Sequence, residues 1–344
     1  VALGDFDSLM QLLFRLVDGL ERVIRVAALL SLGMGPALAS GSVTRIAFGS
    51  CAHQDRPAPI FEAIVESAPD VFIWMGDNVY ADTLDPEKMA RDYKRQFSRP
   101  AYQKLRAGAR ILGTWDDHDF GANDAGREFP GKDFAQPLLL DFLEVPTDDP
   151  RREREGVYAA ETLGEGDQSI KVILLDTRYF RESPGPDADI LGEAQWQWLE
   201  RELVGSTAAI HLLVSSIQVL PTEHRFEKWA NFPQARERLL ALLSREDVPP
   251  VLILSGDRHM AEISREALAP MGESTRQLIE VTSSSLTNPS GGSATEPNRR
   301  RLGLPYRPVN FGLLTVDWNG PQPVVVAAIH DVDGKVVRAM TVAF

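Results

Sequence analysis

Asp77, Asp117 and Asp257 each follow the end of a short apolar run, and Cys51 and His259 follow runs of the same kind. A carboxylate at the end of a buried segment is costly unless a cation compensates it. A pair of cations about 4 Å apart needs one carboxylate to bridge them, further anionic ligands, and a neutral or protonated group beside a leaving oxygen. The chain holds five side chains of these types at the ends of four such runs. The thiol of Cys51 suits a trivalent or borderline metal, because a cation lowers its pKa. A lone buried cysteine is equally at home as a small hydrophobe.

Six runs must place these groups. Ile46–Phe48 leads into Gly49-Ser50-Cys51, Val71–Met75 into Gly76-Asp77-Asn78, and Ile111–Thr114 into Trp115-Asp116-Asp117-His118. Val172–Leu175 leads into Asp176-Thr177-Arg178, Ile210–Val214 into Ser215-Ser216-Ile217-Gln218, and Val251–Leu254 into Ser255-Gly256-Asp257-Arg258-His259. Such runs predict strands buried on both faces, whose carboxyl ends in an α/β sheet border a crevice. Helices are expected over Ala58–Ser67, Glu87–Ala107, Gly192–Leu203 and Pro233–Arg245. Glu182–Asp189 and Ser283–Pro305 read as long loops overhanging the crevice. Phe311–Trp318, Val324–Ile329 and Val336–Val342 read as an antiparallel meander. Asp331–Gly334 is a hairpin turn and not a calcium loop, since no glutamate follows at EF-hand spacing.

Six words along the chain resemble the PhoD-type alkaline phosphatases of the calcineurin-like metallophosphoesterase superfamily: Phe48-Gly-Ser-Cys51, Met75-Gly-Asp-Asn-Val-Tyr-Ala-Asp82, Trp115-Asp-Asp-His-Asp119, Leu175-Asp-Thr-Arg178, Leu191-Gly-Glu-Ala-Gln195 and Ser255-Gly-Asp-Arg-His259. Each is weak alone, and their order carries the resemblance. It implies an α/β (α+β) fold, a four-layer α/β/β/α sandwich closed by the C-terminal meander. It also implies hydrolysis of phosphate monoesters or diesters by a metal-activated hydroxide, with iron (Fe3+) and calcium as cofactors and other divalent metals as alternatives.

By the same resemblance Cys51 ligates iron, Asp77 bridges, and Asn78 offers a carbonyl oxygen to the harder cation. The family uses a tyrosine, and spacing does not choose between Tyr80 and Tyr93. Asp117 takes metal and His118 protonates the leaving group, while Asp116 stands as a further ligand or as the cap of the following turn. Asn123 is an additional oxygen candidate. Asp257 is a ligand, and His259 stands behind the metals or touches the phosphate. Gln218 falls where ordinary relatives carry a metal histidine, which makes its amide oxygen a candidate. Arg178 has the fork geometry for phosphate oxygens, although a strand-end arginine is as often structural. Arg258 replaces the small apolar residue expected there, and reads either as a salt-bridge partner or as a contact to an anionic substrate.

The composition, 44% apolar and 25% charged, is that of a globular chain. A net charge of −13 argues against non-specific capture of nucleic acid, so no stable nucleic-acid partner is expected. The single cysteine forms no internal disulfide. Small phosphate esters are the expected substrates, with phospholipid or nucleotide diesters among them. The rival readings are a phospholipase- or nuclease-type phosphodiesterase of the same fold and a non-catalytic periplasmic phosphate-ligand binding protein. Residues 1–40 read as an N-terminal segment, either a signal, with Ala37-Leu38-Ala39 as its small-residue site, or an amphipathic helix. Residues 41–344 read as the catalytic domain. A signal implies a periplasmic or secreted protein, and the apolar run is too short for a transmembrane anchor.

Overall fold

Strands and helices alternate through a computed structural model that describes residues 42–268, 276–291 and 296–344, all within the unit Ser42–Phe344. In chain order these are β1 (Arg45–Gly49), α1 (Ile60–Glu66), β2 (Val71–Met75), α2 (Pro86–Phe97), α3 (Pro100–Gly108), β3 (Arg110–Thr114), α4 (Asp117–Phe120), α5 (Lys132–Phe142), β4 (Ala159–Leu163), β5 (Ile170–Leu174), α6 (Gly192–Leu203), β6 (Ile210–Ser215), α7 (Pro233–Ser244), β7 (Leu252–Ser255), β8 (Ala261–Ala267), β9 (Gln277–Ser283), β10 (Asn310–Asp317), β11 (Val324–Asp331) and β12 (Val336–Ala343). One sheet has the order β12-β11-β10-β1-β2-β3, the other β4-β5-β6-β7-β9-β8. The first joins parallel β1, β2 and β3 to the antiparallel meander. In the second, β5, β6, β7 and β9 are parallel, with β4 and β8 antiparallel at its edges.

Side chains alternate across a strand, so each central strand feeds two cores. Ile46, Phe48, Ile73 and Met75 pack with Val172, Leu174, Val214 and Leu254 between the sheets. Ala47, Phe72 and Trp74 join Phe61, Tyr102 and Leu139 from α1, α3 and α5. Ile173, Leu213 and Ile253 join Leu199 and Leu239 from α6 and α7. Helices therefore cover the outer faces of two stacked sheets, which is the four-layer α/β/β/α arrangement.

The helix expected over Glu87–Ala107 is two helices, because Pro100 opens α3 and holds Arg99 in an extended conformation. The edge strand β4 escapes pattern reading because it is half exposed. Helix α5 escapes it because Pro137 lies inside it. Ser283 closes β9, and the described residues from 284 to 305 are irregular and pinned by bridges such as Ser285↔Asn310 and Ser264↔Arg301. The signal or amphipathic helix expected at 1–40 lies outside the described residues. Among those described, no helix is long and apolar enough to cross a membrane.

Candidate active site

Parallel pairing of β1, β2 and β3 sets their carboxyl ends side by side, so Cys51, Asp77 and the Asp116–His118 turn become neighbours. The end of β7 adds Asp257 and His259 from the other sheet. Backbone hydrogen bonds join the loops: Ala52 N–H donates to the Asp77 carbonyl at 2.9 Å and Thr287 N–H to the Cys51 carbonyl at 3.1 Å. Gly256 allows the two sheets to meet here, since a Cβ would lie 2.6 Å from Ser50 Oγ and 2.8 Å from the Met75 carbonyl. Gly76, at φ +96°, leaves no room beside Asp116, whose Cβ would stand 2.4 Å from an added one.

The donor atoms fall into three overlapping groups: Cys51, Asp77 and His259; Asp77, Asp117 and His118; and Asp116, Asp117 and Asp257. Within each group the candidate ligand atoms lie within 4.8 Å of one another. Tyr80 joins the first group, its hydroxyl donating to Asp77 Oδ2 at 3.0 Å and standing 3.0 Å from His259 Nε2. Cys51 Sγ lies 3.3 Å from Asp77 Oδ2 and 3.2 Å from Ser284 Oγ. Cys51, Asp77, Asp82, Asp124, Asp257 and His259 all have positive φ, between 42° and 67°. Such backbone is costly outside glycine and collects at functional sites.

The charges do not balance. Asp77, Asp116, Asp117 and Asp119 are buried within this small volume together with Arg178. Burial, the Cys51 thiol and the neighbouring carboxylates hold Asp77 well above the ordinary carboxylate range. Burial pushes Asp257 up to about 7 and the Cys51 thiol up to about 12. Asp117 goes the other way, because Arg178, His118 and the Asp124 N–H outweigh its burial. Asn78 Oδ1, Asp116 Oδ2 and Asp257 Oδ2 are buried without a hydrogen-bond partner. Orphaned anionic and amide oxygens beside a thiol fit cations, which would supply the missing positive charge.

His118 is held from one side. Its Nδ1 lies 2.8 Å from both oxygens of Asp82, and its ring packs on Tyr80 with centroids 4.2 Å apart. Burial opposes its charge, but the Asp82 hydrogen bond and the carboxylates of Asp117, Asp82 and Asp119 raise its pKa above the ordinary value. Asp119 ties the turn together by accepting the backbone N–H groups of Asp77, Asn78 and Asp116.

Several expected site residues stand elsewhere. Tyr93 on α2 packs on Phe142, and its hydroxyl reaches only Asp119, at 3.4 Å, so Tyr80 is the tyrosine at the cluster. The Gln218 amide donates to Glu262 and Thr282, and its oxygen meets His224 Nε2 at 3.1 Å, which takes it out of the ligand set. Arg178 lies fully buried between Asp116, at 2.5 Å, and Glu227, at 2.6 Å, so its fork is closed to phosphate. Arg258 pairs with Glu296 at 2.7 Å. Asn78 spends its amide N–H groups on Thr114 and Asp119, leaving Oδ1 as its one open atom. Asn123 is exposed in the cleft wall.

Asp82, Asp119, Ser284 and Glu227 also serve the site, although spacing along the chain gives none of them a role; Asp82 and Asp119 end the Met75–Asp82 and Trp115–Asp119 motifs. An acidic residue at the end of each word was the available signal. Because Arg178 neutralises two buried carboxylates, Arg178→Met is expected to cost about 3–5 kcal/mol of stability, read as an earlier urea midpoint. A variant of unchanged stability with only a raised KM would return Arg178 to the substrate.

The cluster opens into a cleft of about 550 Å³ walled by His118, Asn123, Arg181, Phe226, Arg258 and Arg307, among others. A family model described as PhoD-like phosphatase matches residues 46–304. Alkaline phosphatase D of Bacillus subtilis (strain 168) is 28% identical over a match covering 57% of this chain and 40% of that protein, so the chain spans well under two thirds of that relative. The solved structure of PhoD aligns with a TM-score of 0.67 and 17% identity over 88% of this chain and 73% of that one. GAP50, the anchor in the inner membrane complex of Plasmodium, aligns with a TM-score of 0.58 and 17% identity over 88% and 89% of the two chains. At these identities the structural likeness shows the fold.

Proposed function

The chain belongs to the PhoD-like phosphatase family, and from that premise we propose that residues 42–344 form a metal-dependent phosphoesterase acting on phosphate monoesters and diesters. The observation that carries this reading is the set of three overlapping donor groups with buried, unpartnered oxygens at the floor of an open cleft. Cys51, Asp77, Tyr80 and His259 would hold iron, and Asp77, Asn78, Asp116, Asp117 and Asp257 would hold calcium. Thiolate and phenolate suit the softer or trivalent ion, and carboxylate and amide oxygens suit the hard one. When bound, these cations supply charge to the phosphoryl oxygens and acidify the attacking water.

The side chains divide the remaining work. Asp82 engages Nδ1 of His118, which leaves Nε2 to give a proton to the departing alcohol oxygen. Asp119 fixes the backbone of the loops after β2 and β3, so the ligand carboxylates are set before substrate arrives. Arg178 holds one oxygen of Asp116 and leaves the other open. The apolar run before Ser40, ending in Ala37-Leu38-Ala39, supports export to the periplasm or beyond.

Elemental analysis of protein purified without added metal, alongside turnover of mono- and bis-nitrophenyl phosphate, tests this reading. Iron near one per chain and turnover dependent on calcium are expected. Protein that stays metal-free and inactive after iron and calcium are added would overturn the enzyme reading in favour of a binding protein.

A further inference from the structure

The cleft is much larger than a phosphoryl group needs, since cavities of about 300–1,000 Å³ take whole small molecules. Among its lining residues only Pro184 and Phe226 are apolar. Phe226 is 42% exposed, and the other strongly exposed large apolar side chains among the described residues, Leu84, Leu304 and Val324, are aliphatic and lie outside the cleft. Two guanidinium groups lie against its ring, with Arg258 at 4.1 Å and Arg225 at 5.0 Å from the centroid. Glu296 anchors Arg258, whereas Arg225 has no carboxylate partner among the described residues. Arg258 directly follows Asp257, so the ring shares a wall with the carboxylate cluster.

Resting on the phosphate-ester reading, we infer that Phe226, with Arg225 and Arg258, forms a subsite for the planar base of a nucleotide-type ester. Aromatic faces and guanidinium planes both stack on bases, whichever base is presented. An acyl chain would need a continuous apolar wall, which two apolar side chains do not provide. The net charge of −13 disfavours a long polyanion and leaves nucleotides and short diesters as the fitting size.

Thymidine 5′-(p-nitrophenyl phosphate) and methyl p-nitrophenyl phosphate share a leaving group and differ only in nucleoside against methyl. The expected kcat/KM ratio is about tenfold or more in favour of the nucleoside ester, the worth of one stacked base. It should fall to roughly twofold or less in Phe226→Ala and persist in Phe226→Trp. A wild-type ratio near one, or a ratio that Phe226→Ala leaves in place, overturns the subsite. If neither ester turns over, the phosphate-ester reading itself has failed, and calorimetry decides the subsite separately. Thymidine 5′-monophosphate should then bind about tenfold tighter than methyl phosphate, and equal affinity overturns the inference.

Discussion

Cys51→Ala is expected to abolish iron binding and to lower phosphodiester turnover by more than about 100-fold, the most that merely supporting residues of a metal site contribute. The argument is electrostatic. Burial, with Asp257 adding to it and the hydrogen bonds of Ser284, Ser50 and Tyr80 opposing it, pushes the thiol up to about 12, so without a cation Cys51 is neutral and its contact with Asp77 is an S–H donation. A cation reverses this by favouring the thiolate, and no methyl group substitutes for that charge. Removing one sulfur from a fully buried position costs only about 1 kcal/mol, so the thermal transition should remain cooperative and close to that of metal-free wild type. Cys51→Ser separates charge from volume. It keeps the hydrogen-bonding partner of Ser284 but offers a harder oxygen, so it should retain calcium and lose iron. Full iron content in either variant would remove Cys51 from the ligand set.

His118→Asn is expected to slow esters with poor leaving groups by about 10²–10⁴-fold and nitrophenyl esters much less, with metal content nearly unchanged. An alkoxide needs a proton in the transition state and a nitrophenolate does not, so leaving-group dependence isolates the acid role from a binding role. Asp82→Asn should show the same pattern in milder form. The amide retains contact with Nδ1 but loses the charge that favours protonated His118. Equal slowing of both ester classes would assign His118 to substrate binding.

Much of the floor of the site was readable because its chemistry is local. Asp77, Asp117, Asp257 and Cys51 directly follow buried strands, and an apolar run that stops at a carboxylate is visible in one dimension. What spacing left open was every assignment that depends on direction, and the salt-bridge reading of Arg258 is the one that its pairing with Glu296 bears out. Tyr80 and Tyr93 are both near Asp77 in sequence, but the turn after β2 aims Tyr80 at the cluster while α2 buries Tyr93 against Phe142. Arg178 closes a quoted word as a ligand would, yet Glu227 and Asp116, both far from it in sequence, take its guanidinium. Gln218 is taken in the same way, by Glu262 on β8 and Thr282 on β9.

The sequence by itself determined the layered α/β fold, the family and the ligand types available at the strand ends, because side-chain alternation and strand-end motifs are short-range properties. Only the tertiary structure decided which donors share a volume, that Asp82 holds His118, and that Arg225, Phe226 and Arg258 meet in one cleft. Those relations join strands of two sheets and loops far apart in the chain. A side chain's role there is fixed by the partner that reaches it first, and that partner is set by packing rather than by spacing.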